Sequence, residues 1–204
     1  MKKFFVFTFS ILIFFFPLLI SAQMPPPPPN DENTNDGDVV NEATLYRAEG
    51  DYKVYEISAG KKHWIPTAQV FDAYSFNWND IQTVTQTVLS NYSRVKLLRA
   101  EASQPVYYLT NSGMIRHIPT AEIFESYGND WNDVFEISSE ELGAYEKNIL
   151  IRAEGDYKVY LLENNTKHWI KTAEIFNQRG YDWFKIAPVN QTEINYYQTG
   201  QVIE

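Results

Sequence analysis

Three stretches of this chain repeat one another, and an internal repeat constrains a fold more than any other feature of a sequence. "LYRAEGDYKVYEIS" opens at Leu45, "LLRAEASQPVYYLT" at Leu97 and "LIRAEGDYKVYLLE" at Leu150. Downstream, "KKHWIPTAQVF", "IRHIPTAEIF" and "TKHWIKTAEIF" follow in the same order. Thr67, Thr120 and Thr172 fall at matching places, at spacings of 53 and 52 residues. Phe71, Phe124 and Phe176 match as well, and so do Trp78, Trp131 and Trp183. The repeats divide as residues 44–96, 97–149 and 150–204.

Each copy reads alike. "YKVYEI" alternates polar and apolar residues, "SAGK" supplies turn chemistry and "KHWI" resumes an extended run, which predicts a β-hairpin. "TNSGM" and "ENNT" stand in the same turn in the later copies. The threonine that follows suits a helix N-cap, with Glu or Gln just inside the positive end of the helix. Val70, Ile123 and Ile175, with the three phenylalanines, then line one helical side. Gly128 and Gly180 stand where a left-handed C-cap falls, and Ser75 takes that place in the first copy. After each tryptophan, "DIQTV", "DVFEI" and "FKIAPV" read as a strand. A short helical turn closes the unit, clearest in "SSEELGAY", where Ser138 and Glu141 have capping-box spacing. The expected fold class is α+β: tandem β-hairpin–helix–strand repeats. A unit of this size buries only about 60% of its surface, so the copies must share a core. Neither end carries a copy of different composition. Open arrays usually need polar caps, so the expectation is one closed, pseudo-threefold domain.

Ahead of the repeats, "MKKFFVFTFSILIFFFPLLISAQ" sets Lys2 and Lys3 before an apolar run from Phe4 to Ile20, with small residues at Ser21 and Ala22. That layout is a secretory signal peptide over residues 1–22; an uncleaved membrane anchor is the alternative, since the run sits at the short limit for crossing a bilayer. Residues 23–43 hold five consecutive prolines and an Asn/Asp-rich stretch, a stiff and polar tether unable to bury anything. Asp31, Asn33, Asn35 and Glu42 share the spacing of a calcium loop, but the required glycine is displaced to Gly37 and no helix precedes. The chain is therefore expected outside the cytoplasm, secreted or at the cell surface or in the periplasm. It has no cysteine, which excludes disulfides, thiolate nucleophiles and thiolate metal sites. Its net charge is -9, with no basic run, so nucleic acid is not an expected partner, and a membrane only through an uncleaved leader.

Three constellations are candidates for chemistry. His63 and His168 match in the first and third copies, but in the second Arg116 takes that place and His117 replaces the tryptophan. A one-residue shift in a strand sends a side chain to the opposite face, so the histidines do not suit a shared zinc site. The expected role is a half-exposed basic position. The triplets Arg47/Glu49, Arg99/Glu101 and Arg152/Glu154 set a cation and an anion on one strand face three times. They read as inter-repeat salt bridges or, alternatively, as a polar binding centre. Trp64 and Trp169 lie on the outer hairpin strand beside the histidines, where flat rings suit a sugar face. Trp78, Trp131 and Trp183 are expected to close each core from inside. No nucleophile elbow, phosphate loop, zinc helix or dinucleotide fingerprint is present, and no cofactor or enzyme activity is expected.

"VYEISAGKKHWIPTAQVFDAYSFNWNDIQTV" resembles a repeat of exported bacterial proteins with the form V-Y-x(4–8)-K-[RH]-x-I-P-[TS]-A-E-x-F-x(3)-G-x-x-W-x-D-[VI]. The resemblance covers nearly all of residues 45–200 and departs at Lys171 and at Phe184-Lys185. Such repeats stand alone or beside cell-wall-directed domains, so it implies an exported module and transfers no catalytic residue. The leading expectation is recognition at the cell envelope, with wall glycan or another surface polymer as ligand. A structural or protein-interaction domain is the alternative, and an envelope hydrolase using the Arg-Ala-Glu carboxylates a third.

Overall fold

The structure is a computed structural model that describes residues 43–204; the leader, the prolines and the calcium-loop spacing lie outside the described residues. The first repeat forms β1 (Thr44–Ala48), β2 (Val54–Ser58), β3 (Lys61–Ile65), α1 (Ala68–Ala73), a 3-10 turn at Trp78–Asp80, β4 (Ile81–Val84), α2 (Gln86–Ser90) and β5 (Ser93–Arg94). The second forms β6 (Leu97–Ala100), β7 (Val106–Leu109), β8 (Ile115–His117), α3 (Ala121–Ser126), a 3-10 turn at Trp131–Asp133, β9 (Val134–Ile137) and α4 (Ser139–Ala144). The third forms β10 (Leu150–Ala153), β11 (Val159–Glu163), β12 (Thr166–Ile170), α5 (Ala173–Gln178), a 3-10 turn at Trp183–Lys185, β13 (Ala187–Val189), α6 (Gln191–Tyr196) and β14 (Gln198–Thr199).

The α+β class holds, and each repeat builds its own mixed sheet: β4-β1-β2-β3-β5, then β8-β7-β6-β9, then β13-β10-β11-β12-β14. The leading strand pairs antiparallel with the hairpin and parallel with the strand after the helix. The hairpin–helix–strand reading of the unit leaves out this leading strand, which holds the two parts together. The turns explain the register. Ala59 and Gly60 both take positive φ, 47° and 72°, as do Asn164 and Asn165 at 48° and 61°, the backbone of a two-residue hairpin turn. Thr67, Thr120 and Thr172 cap α1, α3 and α5, each hydroxyl accepting from the backbone N–H three residues on. Ser75, Gly128 and Gly180 end those helices in the left-handed region. Ser138 also caps its helix, but the Glu141 side chain does not reach back to complete a capping box.

Every sheet is packed on both faces. On one lies a repeat's own core: Leu45, Val54, Ile65 and Phe71, matched by Leu97, Val106, Ile118 and Phe124 and by Leu150, Val159, Ile170 and Phe176. On the other lies the short helix that ends the repeat, with Leu98, Ile137 and Tyr145, or Ile151, Ile194 and Tyr197. Trp78, Trp131 and Trp183 do not sit inside these cores. Phe71, Phe124 and Phe176 fill that space, and the indoles stack on them from outside at 4.0, 3.8 and 4.0 Å between centroids.

The copies join head to tail. α1 meets α4 and α3 meets α6, while no hydrogen bond or ion pair among the described residues links the first repeat to the third. The contacts between helices and the buried ion pairs thus run from each copy to the next. After β14 the chain runs on beside β12: Ile203 N–H donates to the Trp169 carbonyl at 2.8 Å, and Lys171 N–H to that of Ile203 at 3.2 Å. The third sheet is thereby covered by its own tail.

Candidate functional site

Each joint between repeats is built around one buried glutamate. Glu141, on α4, has no exposed surface. Its Oε1 accepts from His63 Nε2 at 2.6 Å and from the Tyr145 hydroxyl at 2.8 Å, and its Oε2 from the Tyr74 hydroxyl at 2.7 Å. His63 turns its other ring nitrogen to Glu56 at 3.2 Å. Burial alone would lower the imidazole pKa, but the hydrogen bonds and charges of Glu141 and Glu56 overcome it and hold the ring at about 9. His63 is therefore a cation at neutral pH. Burial first, aided by the Glu141 charge, raises Tyr74 to about 12, so its hydroxyl keeps its proton.

The second joint repeats the design with different residues. Glu193, on α6, accepts from Arg116 Nε at 2.7 Å and Nη2 at 3.2 Å, from Tyr127 at 2.5 Å and from Tyr197 at 2.9 Å. In both joints the tyrosine of the preceding helix also accepts a backbone N–H, from Ser138 or from Asn190, each at 2.9 Å. His63 and Arg116 are 1% and 4% exposed, so the expectation of a half-exposed basic position is corrected: it is the centre of the joint. His117, one residue on, is exposed on the other side of its strand. The pattern stops at the ends. Val88 stands where Glu141 and Glu193 stand, and Arg179 replaces Tyr74 and Tyr127. His168 has no glutamate to meet; it is half-buried, with Nδ1 3.0 Å from the Gln201 carbonyl. The tail passes so close beneath it that a Cβ on Gly200 would lie 2.4 Å from His168 Cε1, which is why glycine is needed there.

A second feature recurs in the first and third repeats only. Trp64, half-buried, and Trp78, half exposed, line a shallow cleft of about 150 Å³ with Tyr52, Lys53 and Pro66. Trp169, Trp183, Tyr157 and Lys171 line its counterpart of about 180 Å³. Lys53 and Lys158 lie over the faces of Trp64 and Trp169 at 5.5 and 5.1 Å. Tyr52 and Tyr157 are 80% and 78% exposed. The outer indoles are fixed by hydrogen bonds, Trp78 to Asp72 and Trp183 to Asn177, both 2.9 Å. In the second repeat Gln104, Pro105 and His117 replace Tyr, Lys and Trp.

The Arg-Ala-Glu triplets do not form a ring. Arg99 is buried and pairs at 2.9 Å with Glu136 of its own repeat, not across a joint as expected. Arg47 is half-buried and Arg152 exposed. Glu49, Glu101 and Glu154 are exposed at the turn after the leading strand, where their backbone N–H groups donate to Val84, Ile137 and Val189 at 2.9 Å. Of the sequence candidates, His63 and Trp64, and His168 and Trp169, are neighbours on one strand, but their side chains leave opposite faces and do not share a site. Among the described residues no cluster of His, Asp and Glu could hold a metal ion, and no helix is long and apolar enough to cross a membrane.

Sequence reasoning missed the joint residues Glu141, Glu193, Tyr74, Tyr127, Tyr145 and Tyr197, and the cleft tyrosines Tyr52 and Tyr157. The signal was present: aligned on the helix cap, Val88/Glu141/Glu193 and Tyr74/Tyr127/Arg179 change only at the terminal copy.

No family model matches the chain, and no curated relative matches it. A chain of the structure described as the periplasmic assembly from the ESX-5 inner membrane complex is similar at 11% identity, with a TM-score of 0.27. The match covers 91% of this chain and 50% of that one, so this chain spans about half its neighbour's length. Such a score lies below that of a shared fold.

Proposed function

We propose that the chain is an exported, non-catalytic recognition module of the cell envelope. In this reading the aromatic clefts of the first and third repeats hold an extended surface polymer, a wall glycan first. The observation that carries it is the exposure of Tyr52 and Tyr157 beside the outer faces of Trp78 and Trp183. Hydrogen-bonded indoles already seated on core phenylalanines present flat, pre-placed rings. Such rings suit the apolar face of a sugar, with Lys53 or Lys158 beside them for hydroxyl groups. Two like clefts on one chain suit a ligand that repeats, because the second contact becomes intramolecular once the first is made. A net charge of -9 argues against a polyanion. The location rests on the signal-peptide layout and on the repeat's resemblance to exported proteins.

The non-catalytic part is supported by the carboxylates themselves. Glu141 and Glu193 accept three and four hydrogen bonds and have no free face for a substrate. Glu49, Glu101 and Glu154 stand apart on exposed turns, without the paired, unlike environments that hydrolysis of a glycosidic bond needs. A second reading, a protein-interaction domain, is favoured by Phe184, 90% exposed where the other copies carry asparagine. Sedimentation of residues 23–204 with isolated cell wall, against capture of envelope proteins, separates the two. Binding to protein-free wall supports the polymer reading; binding only to envelope proteins, or to neither, overturns it.

A further inference from the structure

The two joints differ at one strand position. Between the first and second repeats, Phe135 of β9 packs against His63, with ring centroids 4.7 Å apart. Between the second and third, the matching residue is Ala187 of β13. The space that a phenylalanine would fill is open there, as part of a cleft of about 430 Å³. That volume falls within the range of sites for small molecules and short peptide ends.

The lining has a definite chemical character. Arg94, half-buried, donates through Nη1 to the Thr110 carbonyl at 2.8 Å and through Nη2 to that of Leu109 at 3.0 Å. It has no carboxylate partner among the described residues, and burial lowers its pKa. The two carbonyls orient the guanidinium without neutralising it. Lys96, exposed, is a second cation in the lining that makes no ion pair among the described residues. Tyr108, Phe184 and Pro188 add apolar surface, and Asn111 and Glu154 can meet peptide N–H and C=O groups. Arg116 is also in the wall, but Glu193 already takes its charge. A neutral sugar would leave Arg94 uncompensated, and a phosphate, with up to two negative charges, would be repelled by Glu154 more than a singly charged carboxylate is.

We propose that this cleft captures the free carboxylate end of a peptide. Arg94 and Lys96 take the carboxylate, and Phe184, Tyr108 and Pro188 flank the terminal side chain. Capture of the terminal carboxylate is a recurrent way of reading a chain end, and here side-chain cations would supply it. The inference stands apart from the aromatic clefts: Tyr52 and Tyr157 are not in this lining, so their substitution leaves it intact.

The test uses residues 23–204 and two probes, acetyl-Ala-Ala-Phe with a free carboxylate and the same peptide as its C-terminal amide, in a calorimetric or NMR titration. The acid binds, and the amide binds at least tenfold more weakly. Arg94→Gln removes that tenfold preference, and Ala187→Phe, which restores the residue of the other joint, abolishes binding. Because Ala187 is buried and its variant can fail to fold, Phe184→Ala serves beside it; at 90% exposure it leaves the melting curve unchanged and weakens the acid several-fold. Equal binding of acid and amide, binding of neither, or parental affinity in both Arg94→Gln and Phe184→Ala overturns the proposal.

Discussion

His63 and Glu141, 78 residues apart and in different repeats, meet with Nε2 2.6 Å from Oε1, both side chains almost wholly removed from water. Arg116 and Glu193 repeat that relationship one unit later. Such a pair is a poor source of net stability, since desolvating two charges offsets most of their attraction. It does specify geometry, because a copy that docked out of register would bury an unpaired charge. The joints thus set how one repeat follows another.

Removing one partner tests this. Glu193→Ala leaves the Arg116 guanidinium buried without its acceptor and is expected to cost about 3–5 kcal/mol in urea unfolding. Glu141→Ala is expected to cost less, since an imidazole can give up its proton and a guanidinium cannot. Val88→Ala, at the matching but exposed position of the first repeat, is expected to stay within about 1 kcal/mol.

The His63 pair also predicts a response to pH. Its folded pKa of about 9 lies above the 6.5 of a free imidazole, so its contribution is full below about pH 6.5 and is lost as pH rises through 9. The shift corresponds to a loss on the order of 3 kcal/mol between those limits. Thermal melts from pH 6 to 10 should therefore fall more steeply in the parent than in His63→Gln, and parallel curves would contradict the assignment.

The tail cap has its own test. Gly200→Ala pushes a methyl group into His168 and Thr166, and overpacking of this kind costs about 1–3 kcal/mol. Hydrogen exchange at the Ile203 and Lys171 amides, which bond along the edge of β12, should quicken while the first repeat is unaffected.

Much of this fold was legible in the residues. The threonine caps, the left-handed Gly128 and Gly180, the hairpin turns and the strand after each tryptophan all follow from local chemistry that recurs along the chain. How the copies meet was not legible, because it depends on pairs far apart in sequence. His63 reads as an exposed basic residue until Glu141 is brought over it from the next unit, and Glu141 reads as half of a capping box. Val88 and Arg179 stand in place of Glu and Tyr, and residues 200–203 lie along an edge strand, without any change of composition. Trp64 and Trp169 were visible as candidates, but Tyr52 and Tyr157 pass for ordinary hairpin residues until the structure sets them beside a second indole.

In the function proposed above, the first and third repeats hold one polymer through two aromatic clefts. That reading is tested most directly by titrating soluble wall fragments, at least as long as the span between the clefts, into four proteins: the parent, Tyr52→Ala, Tyr157→Ala and the double variant. Both tyrosines are so exposed that the melting curves should coincide. Each single change should weaken binding on the order of tenfold, about 1.4 kcal/mol, and the double change should remove the gain from two-point attachment. Parental affinity in the double variant would contradict it.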